Sequence, residues 1–240
     1  MLKPVQDITQ DWSLERIVKE RTPITWEKPF EDAHEELMEL SEILDNLGEY
    51  CPLKRDIFHA FQCTKLNKVK VVIIGMDPYP QMIEVKGEIV PRAVGMSFSV
   101  RREDEIPKSL INIYKELDES VDNFNKPDHG DLTSWALQGV LLLNASLTVK
   151  EGKPGSHGTI WHGFLKKIIK WIISERPKTL WVLWGNDAGK LGQLIGQKAP
   201  KLTGVHPVAF GDKFKGCDHF NQINEYLKKI GEEKIDWNVY

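Results

Sequence analysis

The chain has 240 residues, 41% of them hydrophobic and 28% charged, a balance typical of a globular protein that buries a substantial core. The formal net charge of −3 excludes an overall basic field, so any binding of nucleic acid must depend on a local cluster of Lys and Arg. No apolar run is long enough to span a bilayer, and the polar N-terminus resembles neither a secretory signal nor a transit peptide.

Cysteine usage indicates a reducing compartment. Cys51, Cys63 and Cys217 are few, odd in number and widely spaced, which argues against a disulfide framework and against a metal site. We therefore expect an intracellular protein, in the cytoplasm or the nucleus, that is not secreted, does not contact a membrane and binds no metal.

The N-terminal part of the chain divides into two predicted pieces. Residues 1–25 are predicted to form a short arm, and residues 26–240 a single domain. That domain opens with residues 26–47, which have the 3.6-residue period of an amphipathic helix. Acidic residues lie on its outer face, and the residues predicted to face the core are Leu37, Leu40, Ile43 and Leu44.

The most informative segment is residues 70–80. A continuous apolar run ends at Gly75, a pattern that favours a strand covered on both faces of a parallel sheet. Asp77 and Tyr79 follow at once, on a turn that Pro78 and Pro80 stiffen. Ligands of parallel sheets bind outside the carboxyl ends of the strands, so we expect a site here. Taken alone, the segment is explained equally well by a surface turn that contains an Asp.

The same pattern recurs further along the chain. Three more apolar runs, at residues 140–144, 179–186 and 202–206, end in Asn144, Asn186 and His206. Between and after the runs lie predicted helices at residues 109–119, 161–174, 187–196 and 221–230, whereas residues 81–94 are predicted to form a loop or a short hairpin. This alternation predicts an α/β fold, a three-layer α/β/α sandwich with a central four-stranded parallel sheet. A lone buried Asn or His is more often structural, but four polar strand ends predict one cleft.

With these residues in view, the chain resembles the family 1 uracil-DNA glycosylases. The resemblance covers nearly all of the chain from Trp26 and rests on linked segments in order, at residues 75–79, 95–100, 109–117, 135–144, 205–207, 216–220 and 235–237. It implies hydrolysis of the bond between uracil and deoxyribose in DNA, without a metal or organic cofactor. DNA, single- or double-stranded, is the implied partner of an expected monomer, with replication or repair proteins as further candidates.

The resemblance also implies roles for individual residues. Asp77 matches the carboxylate that stabilises the sugar cation and orients water, and His206 matches the neutral imidazole that donates to uracil O2. Asn144 matches the amide that binds the O4 and N3–H edge, Tyr79 the ring that excludes the thymine methyl, and Phe98 the aromatic that stacks on the base. On its local context alone, Phe98 is better explained as core.

Three residues depart from the family pattern. Met76 stands where the family usually has Gln, which leaves its main-chain contacts to the base possible. Pro80 stands where most members have His, although poxvirus members resemble this chain there. Phe210 stands four residues after His206, where the family usually has a Leu wedge that fills the gap left by a flipped base. Phe is a competent wedge, and an ordinary exposed loop aromatic is the alternative.

Contacts with the DNA backbone are less sharply defined. Ser109 and Asn186 fit the two small polar loops that compress the backbone, and Ser156 fits either the DNA face or the structure of its own loop. A second function of a different class is a non-catalytic DNA-binding or polymerase-processivity subunit on the same scaffold. The presence of Asp77, Asn144 and His206 together favours the enzyme, because binding alone does not need all three.

Overall fold

The computed structural model describes residues 11–197 and 199–240. Within these residues the strands are β1 Tyr50–Cys51, β2 Val71–Gly75, β3 Met82–Val85, β4 Glu88–Pro91, β5 Val140–Asn144, β6 Val149–Lys150, β7 Leu180–Trp184 and β8 Lys201–Gly204. The α-helices are α1 Leu14–Arg21, α2 Glu27–Asp32, α3 His34–Asn46, α4 His59–Cys63, α5 Lys108–Ser120, α6 Thr133–Leu137, α7 His162–Glu175, α8 Asn186–Ile195 and α9 His219–Ile230.

The central sheet confirms the predicted fold class. Its four strands lie in the order β5-β2-β7-β8, and all three neighbouring pairs are parallel. Every residue of β2, β5 and β7 is buried, as expected for strands covered by helices on both faces. The edge strand β8 is only partly buried. Because the strands run parallel, their carboxyl ends meet at one edge of the sheet, where the predicted site residues follow.

The predicted long helix over residues 26–47 is wrong in its continuity. The segment is broken into a 3₁₀ turn over Ile24–Trp26, then α2 and α3, with Ala33 between the helices outside the helical conformation. Leu37, Leu40 and Leu44 are buried as predicted, but Ile43 is 38% exposed. The helical period explains this correction: Ile43 lies about 100° around the helix from Leu44 and falls outside the buried stripe.

The described part of the predicted arm contains a packed helix. Ser13 caps α1 by accepting a hydrogen bond from the Arg16 N–H, and Leu14 and Ile17 are fully buried in the core that α3 also lines. Residues 1–10 of the arm lie outside the described residues. The boundary at Trp26 stays a prediction, since α1 shares its core with the rest of the chain.

The hairpin alternative for residues 81–94 is confirmed. β3 and β4 pair antiparallel around Lys86 and Gly87, whose φ angles of 52° and 83° fit a two-residue turn of type I′. The small pair of β1 with β6 was not predicted, because two-residue strands carry no measurable period. In the described chain, no helix combines the length and the apolarity needed to cross a membrane.

Candidate active site

The carboxyl edge of the sheet brings the predicted residues together. Gly75 at the end of β2 pairs in register with Asn144 at the end of β5, and Asp77 follows two residues later. On the other side of β2, strands β7 and β8 lead into Asn186 and His206. The predicted convergence of four strand ends therefore agrees with the observed topology.

Asn144 lies at the bottom of this edge. Its side chain is only 5% exposed. A Cβ at Gly75 would overlap the Asn144 Oδ1 atom and lie 2.9 Å from Ser97 Cβ. The absence of a side chain at Gly75 thus leaves room for the amide, which carries both a hydrogen-bond donor and an acceptor.

Tyr79 is held by its hydroxyl group. The Tyr79 phenol lies 2.8 Å from the Ser109 hydroxyl and donates weakly to the Phe98 carbonyl at 3.4 Å. Burial raises the pKa of Tyr79 to about 12, so the phenol stays neutral at physiological pH. Pro78 and Pro80 on either side are buried. The ring is therefore held in one position, and its hydroxyl group stays uncharged.

Phe98 adopts a backbone conformation that is rare for its residue type. Its φ angle is 64°, in the left-handed region, where a side chain other than glycine's costs on the order of 1 kcal/mol or more. The ring packs edge-on against Trp184 at 5.6 Å between centroids and lies 6.1 Å from the His206 ring. The side chain is 8% exposed and belongs to the buried core, so the ring packs at the border of the core, next to the histidine.

The hydrogen bonding of His206 determines its tautomer. The Val208 N–H donates to His206 Nδ1 at 3.2 Å, so Nδ1 acts as an acceptor and the proton of the neutral ring belongs on Nε2. Gly185 lies beneath the ring: a Cβ there would lie 3.1 Å from His206 Cβ. Asn112 of α5 donates to the Pro207 carbonyl at 2.8 Å and holds the following turn.

Asp77 is partly buried and connected to a neighbouring loop. The Gly155 N–H donates to Asp77 Oδ2 at 2.6 Å, which fixes one carboxylate oxygen. Ser156 in the same loop accepts a hydrogen bond from the Lys150 N–H at 2.8 Å. Of the two alternatives for Ser156, this contact supports the one in which it shapes its own loop.

Three predicted residues lie at the rim. Met76 is 36% exposed and its carbonyl accepts from the Ser146 N–H at 3.2 Å, Phe210 is 96% exposed, and Asn186 is exposed at the start of α8. Ser109 is different: it is 8% exposed and its hydroxyl contacts Tyr79. In this structure Ser109 positions the Tyr79 ring, and its contact with DNA stays a prediction.

Two residues with a positioning geometry were missed by the sequence reasoning. Asn112 contacts Pro207, and buried Glu116 accepts from the Gly216 and Asp218 N–H groups at 2.5 and 2.9 Å. These partners lie about a hundred residues away, so no local pattern could reveal them. One signal was present: Glu116 interrupts the apolar face of α5, and a buried acid needs partners.

Comparison with known proteins identifies the family. A family model described as the Uracil DNA glycosylase superfamily matches residues 61–228, well over half of the chain. The chain belongs to this superfamily.

Within residues 11–197 and 199–240, no group of three or more His, Cys, Asp or Glu side chains could hold a metal ion.

Individual glycosylases show how close the likeness is. The chain is 48% identical over 191 residues to a uracil-DNA glycosylase of Dichelobacter nodosus, covering 78% of this chain and 80% of that one. It is 43% identical over 190 residues to the Escherichia coli uracil-DNA glycosylase, with the same coverage. The mimivirus uracil-DNA glycosylase crystal structure superposes with a TM-score of 0.83 at 30% identity, over 94% of this chain and 89% of that one.

Proposed function

We propose that this protein is a uracil-DNA glycosylase, which flips uracil out of DNA and hydrolyses its N-glycosidic bond. The products are free uracil and an abasic site, so the reaction initiates base-excision repair. The observation that carries the proposal is the convergence of Asp77, Asn144 and His206 at three strand ends, in a chain that belongs to the superfamily.

The reaction begins with the base leaving the duplex. A uracil within the stack cannot be reached, so the enzyme meets an unstacking cost of a few kcal/mol. As the bond breaks, its electron pair moves to uracil N1 and the sugar gains oxocarbenium character. The negative charge of Asp77, one oxygen of which is fixed by the Gly155 N–H, stabilises that cation and orients the water that adds to C1′.

His206 acts on the leaving group. Because Nδ1 accepts the Val208 N–H, the proton of the neutral ring lies on Nε2, which can act as a donor. A donor placed at uracil O2 stabilises the negative charge that develops only as the bond breaks, and so lowers the barrier rather than only tightening binding. A neutral imidazole is sufficient for this role.

Selection against cytosine is assigned to Asn144. Its Nδ2 can donate to uracil O4 while its Oδ1 accepts from N3–H. Cytosine presents an amino group and an unprotonated N3 at the same edge, so both hydrogen bonds would become mismatched in a buried position. The 5% exposure of Asn144 supports this assignment, because mismatches are most costly away from water.

Selection against thymine needs a steric block, because a pocket cannot strongly reject a methyl group by weak packing. We assign this block to Tyr79, whose fixed phenol supports such a role. Phe98 is assigned to stacking on the flipped base, consistent with the 6.1 Å between its ring and that of His206. Met76 is expected to contact the base through its main chain.

Contacts with DNA outside the pocket complete the proposal. Phe210, almost fully exposed, is proposed as the wedge that enters the space left by the flipped base. Asn186, Ser109 and Ser156 are proposed to contact the backbone, directly or by shaping the loops that do. We further propose that the protein acts as an intracellular monomer that works with other repair or replication proteins and needs no cofactor.

One assay tests the function. Purified protein is incubated, with EDTA present, with an oligonucleotide that contains a single uracil, and free uracil and abasic sites are measured against an otherwise identical thymine oligonucleotide. Release of uracil alone is expected. DNA binding without release would instead favour the processivity-subunit alternative, and a need for an added divalent ion would refute the cofactor-free mechanism.

A further inference from the structure

We propose that helix α5 anchors both ends of the loop that carries Phe210, through Asn112 and Glu116. We define this insertion loop as residues 207–218. The inference rests on the proposed function, and it makes the two residues positioning residues for duplex DNA. Asn112 Nδ2 donates to the Pro207 carbonyl at 2.8 Å, at the start of the loop. Glu116 accepts from the Gly216 and Asp218 N–H groups at 2.5 and 2.9 Å, at its end.

The anchor at Glu116 is unusual for a surface helix. Its side chain is 1% exposed, and both of its carboxylate oxygens face backbone donors of the loop. Burying a carboxylate without such donors would be strongly unfavourable, so helix and loop end are coupled. Burial, and to a smaller extent the Glu116 carboxylate, raises the pKa of Cys217, which lies between the two donors, to about 11. Its thiol therefore stays protonated.

The loop backbone at this end is held in a demanding conformation. Gly216 and Asp218 have φ angles of 76° and 54°, and Asp218 is not a glycine. The N–H groups of Gly216 and Asp218 point at one carboxylate in this conformation. Replacing one carboxylate oxygen of Glu116 by an amide nitrogen therefore removes a hydrogen bond and also destabilises the positive-φ conformation of the turn.

The insertion loop has fixed ends and an exposed apex, a combination that suits the insertion of Phe210 into the base stack. Phe214, near the end, is 2% exposed and packs edge-on against Trp184 at 5.0 Å, whereas Phe210 is 96% exposed. A wedge on a loop with fixed ends loses less conformational freedom when it enters the base stack, which lowers the cost of the flipped state. The benefit applies to duplex DNA, because only a duplex has a stack to fill.

The same helix reaches the base pocket. Ser109, in its first turn, contacts the Tyr79 phenol, and Glu116 lies seven residues on, about 10 Å along the axis at 1.5 Å per residue. One rigid element therefore sets the pocket wall and the insertion loop in a fixed relation. We expect that relation to determine whether the wedge enters while the base occupies the pocket.

The test uses Glu116→Gln, which keeps the size of the side chain but puts an amide NH₂ against a backbone N–H. Asp118→Asn is the matched control, because it makes the same change at an exposed position of α5. Asn112→Ala tests the other anchor and serves if Glu116→Gln fails to fold. Two quantities are measured: amide hydrogen exchange across residues 207–218, and single-turnover uracil release from matched duplex and single-stranded oligonucleotides.

We expect Glu116→Gln and Asn112→Ala to speed exchange in the insertion loop but not in the central sheet. Their ratio of duplex to single-strand rate should fall about tenfold, equivalent to ~1.4 kcal/mol, while Asp118→Asn matches the parent. Unchanged exchange in the loop, or an equal loss on both substrates, would overturn the proposal. A parent that releases no uracil would refute the proposed function instead, and the exchange measurement would still test the anchors.

Discussion

Gly75 and Asn144 form a register pair at the ends of β2 and β5, and the space that Gly75 leaves empty is occupied by the Asn144 amide. A methyl group at residue 75 would overlap Oδ1 of Asn144. The position of the Asn144 amide therefore requires a glycine at residue 75, because any side chain there would occupy the same space.

Gly75→Ala should therefore disable the pocket without disrupting the sheet. Displacing the amide by about 1 Å can cost on the order of 100-fold in rate, and we expect a loss of that size in uracil release from single-stranded DNA. Gly163→Ala is the control, because its new Cβ would meet nothing closer than Glu36 at 3.4 Å. An active Gly75→Ala variant would show that Asn144 does not bind the base as proposed.

Tyr79→Ala should admit thymine. Removing the ring opens space beside the C5 position of the base, so thymine release should become measurable where the parent shows none. Tyr79→Phe keeps the ring and loses only the contacts of the hydroxyl with Ser109 and Phe98, so it should still exclude thymine. If a folded, active Tyr79→Ala variant still releases uracil alone, the steric block lies at another residue.

Phe210→Ala should weaken action on duplex DNA by about one to three orders of magnitude and spare single strands, because filling the stack is worth a few kcal/mol. Phe210→Leu should retain most of the duplex rate, since it keeps an apolar wedge. The readout is single-turnover release from both substrates. Equal effects on the two would make Phe210 an ordinary exposed loop aromatic and place the insertion role elsewhere.

Buried His219 should make stability depend on pH. Its Nδ1 accepts the Trp184 Nε1–H at 2.9 Å, and burial lowers its pKa below the ordinary 6.5. The unfolded chain then binds more protons below pH ~6.5, so the free energy of unfolding should decrease as the pH falls through that range. Urea unfolding at pH 7.5 and 5.5 should show a smaller decrease for His219→Gln. The same decrease in parent and variant would remove His219 as a cause.

His157 should also contribute to the pH dependence of stability, so the His219→Gln substitution should remove only part of it. Burial lowers the pKa of His157 as well, and its Nδ1 lies 2.9 Å from the Thr148 hydroxyl. The His219→Gln variant should therefore keep some pH dependence, which a second substitution, His157→Gln, should reduce further.

The central strands and their polar ends could be predicted from the sequence because burial on both faces produces continuous apolar runs. The end of each run then marks the edge of the sheet, where Asp77, Asn144 and His206 lie. The break at Ala33 could not be predicted in the same way, because the residues on both sides keep an apolar period and no glycine marks the bend.

What the sequence could not provide were contacts between distant segments. The bonds from Asn112 and Glu116 to the insertion loop span about a hundred residues, and the Ser109 hydroxyl contacts Tyr79 across a sequence separation of 30 residues. The tautomer of His206 likewise depends on a turn geometry, the Val208 N–H, that residue identity alone does not specify.

The most direct measurement of the central claim is single-turnover release of uracil from a single-stranded oligonucleotide by the parent, Asp77→Asn and His206→Leu, with DNA binding followed by fluorescence anisotropy. If Asp77 stabilises the sugar cation and His206 the leaving uracil, each variant should lose at least about 100-fold in rate and still bind DNA. Release at the parent rate by both folded variants would contradict the assignment of the chemistry to these strand ends.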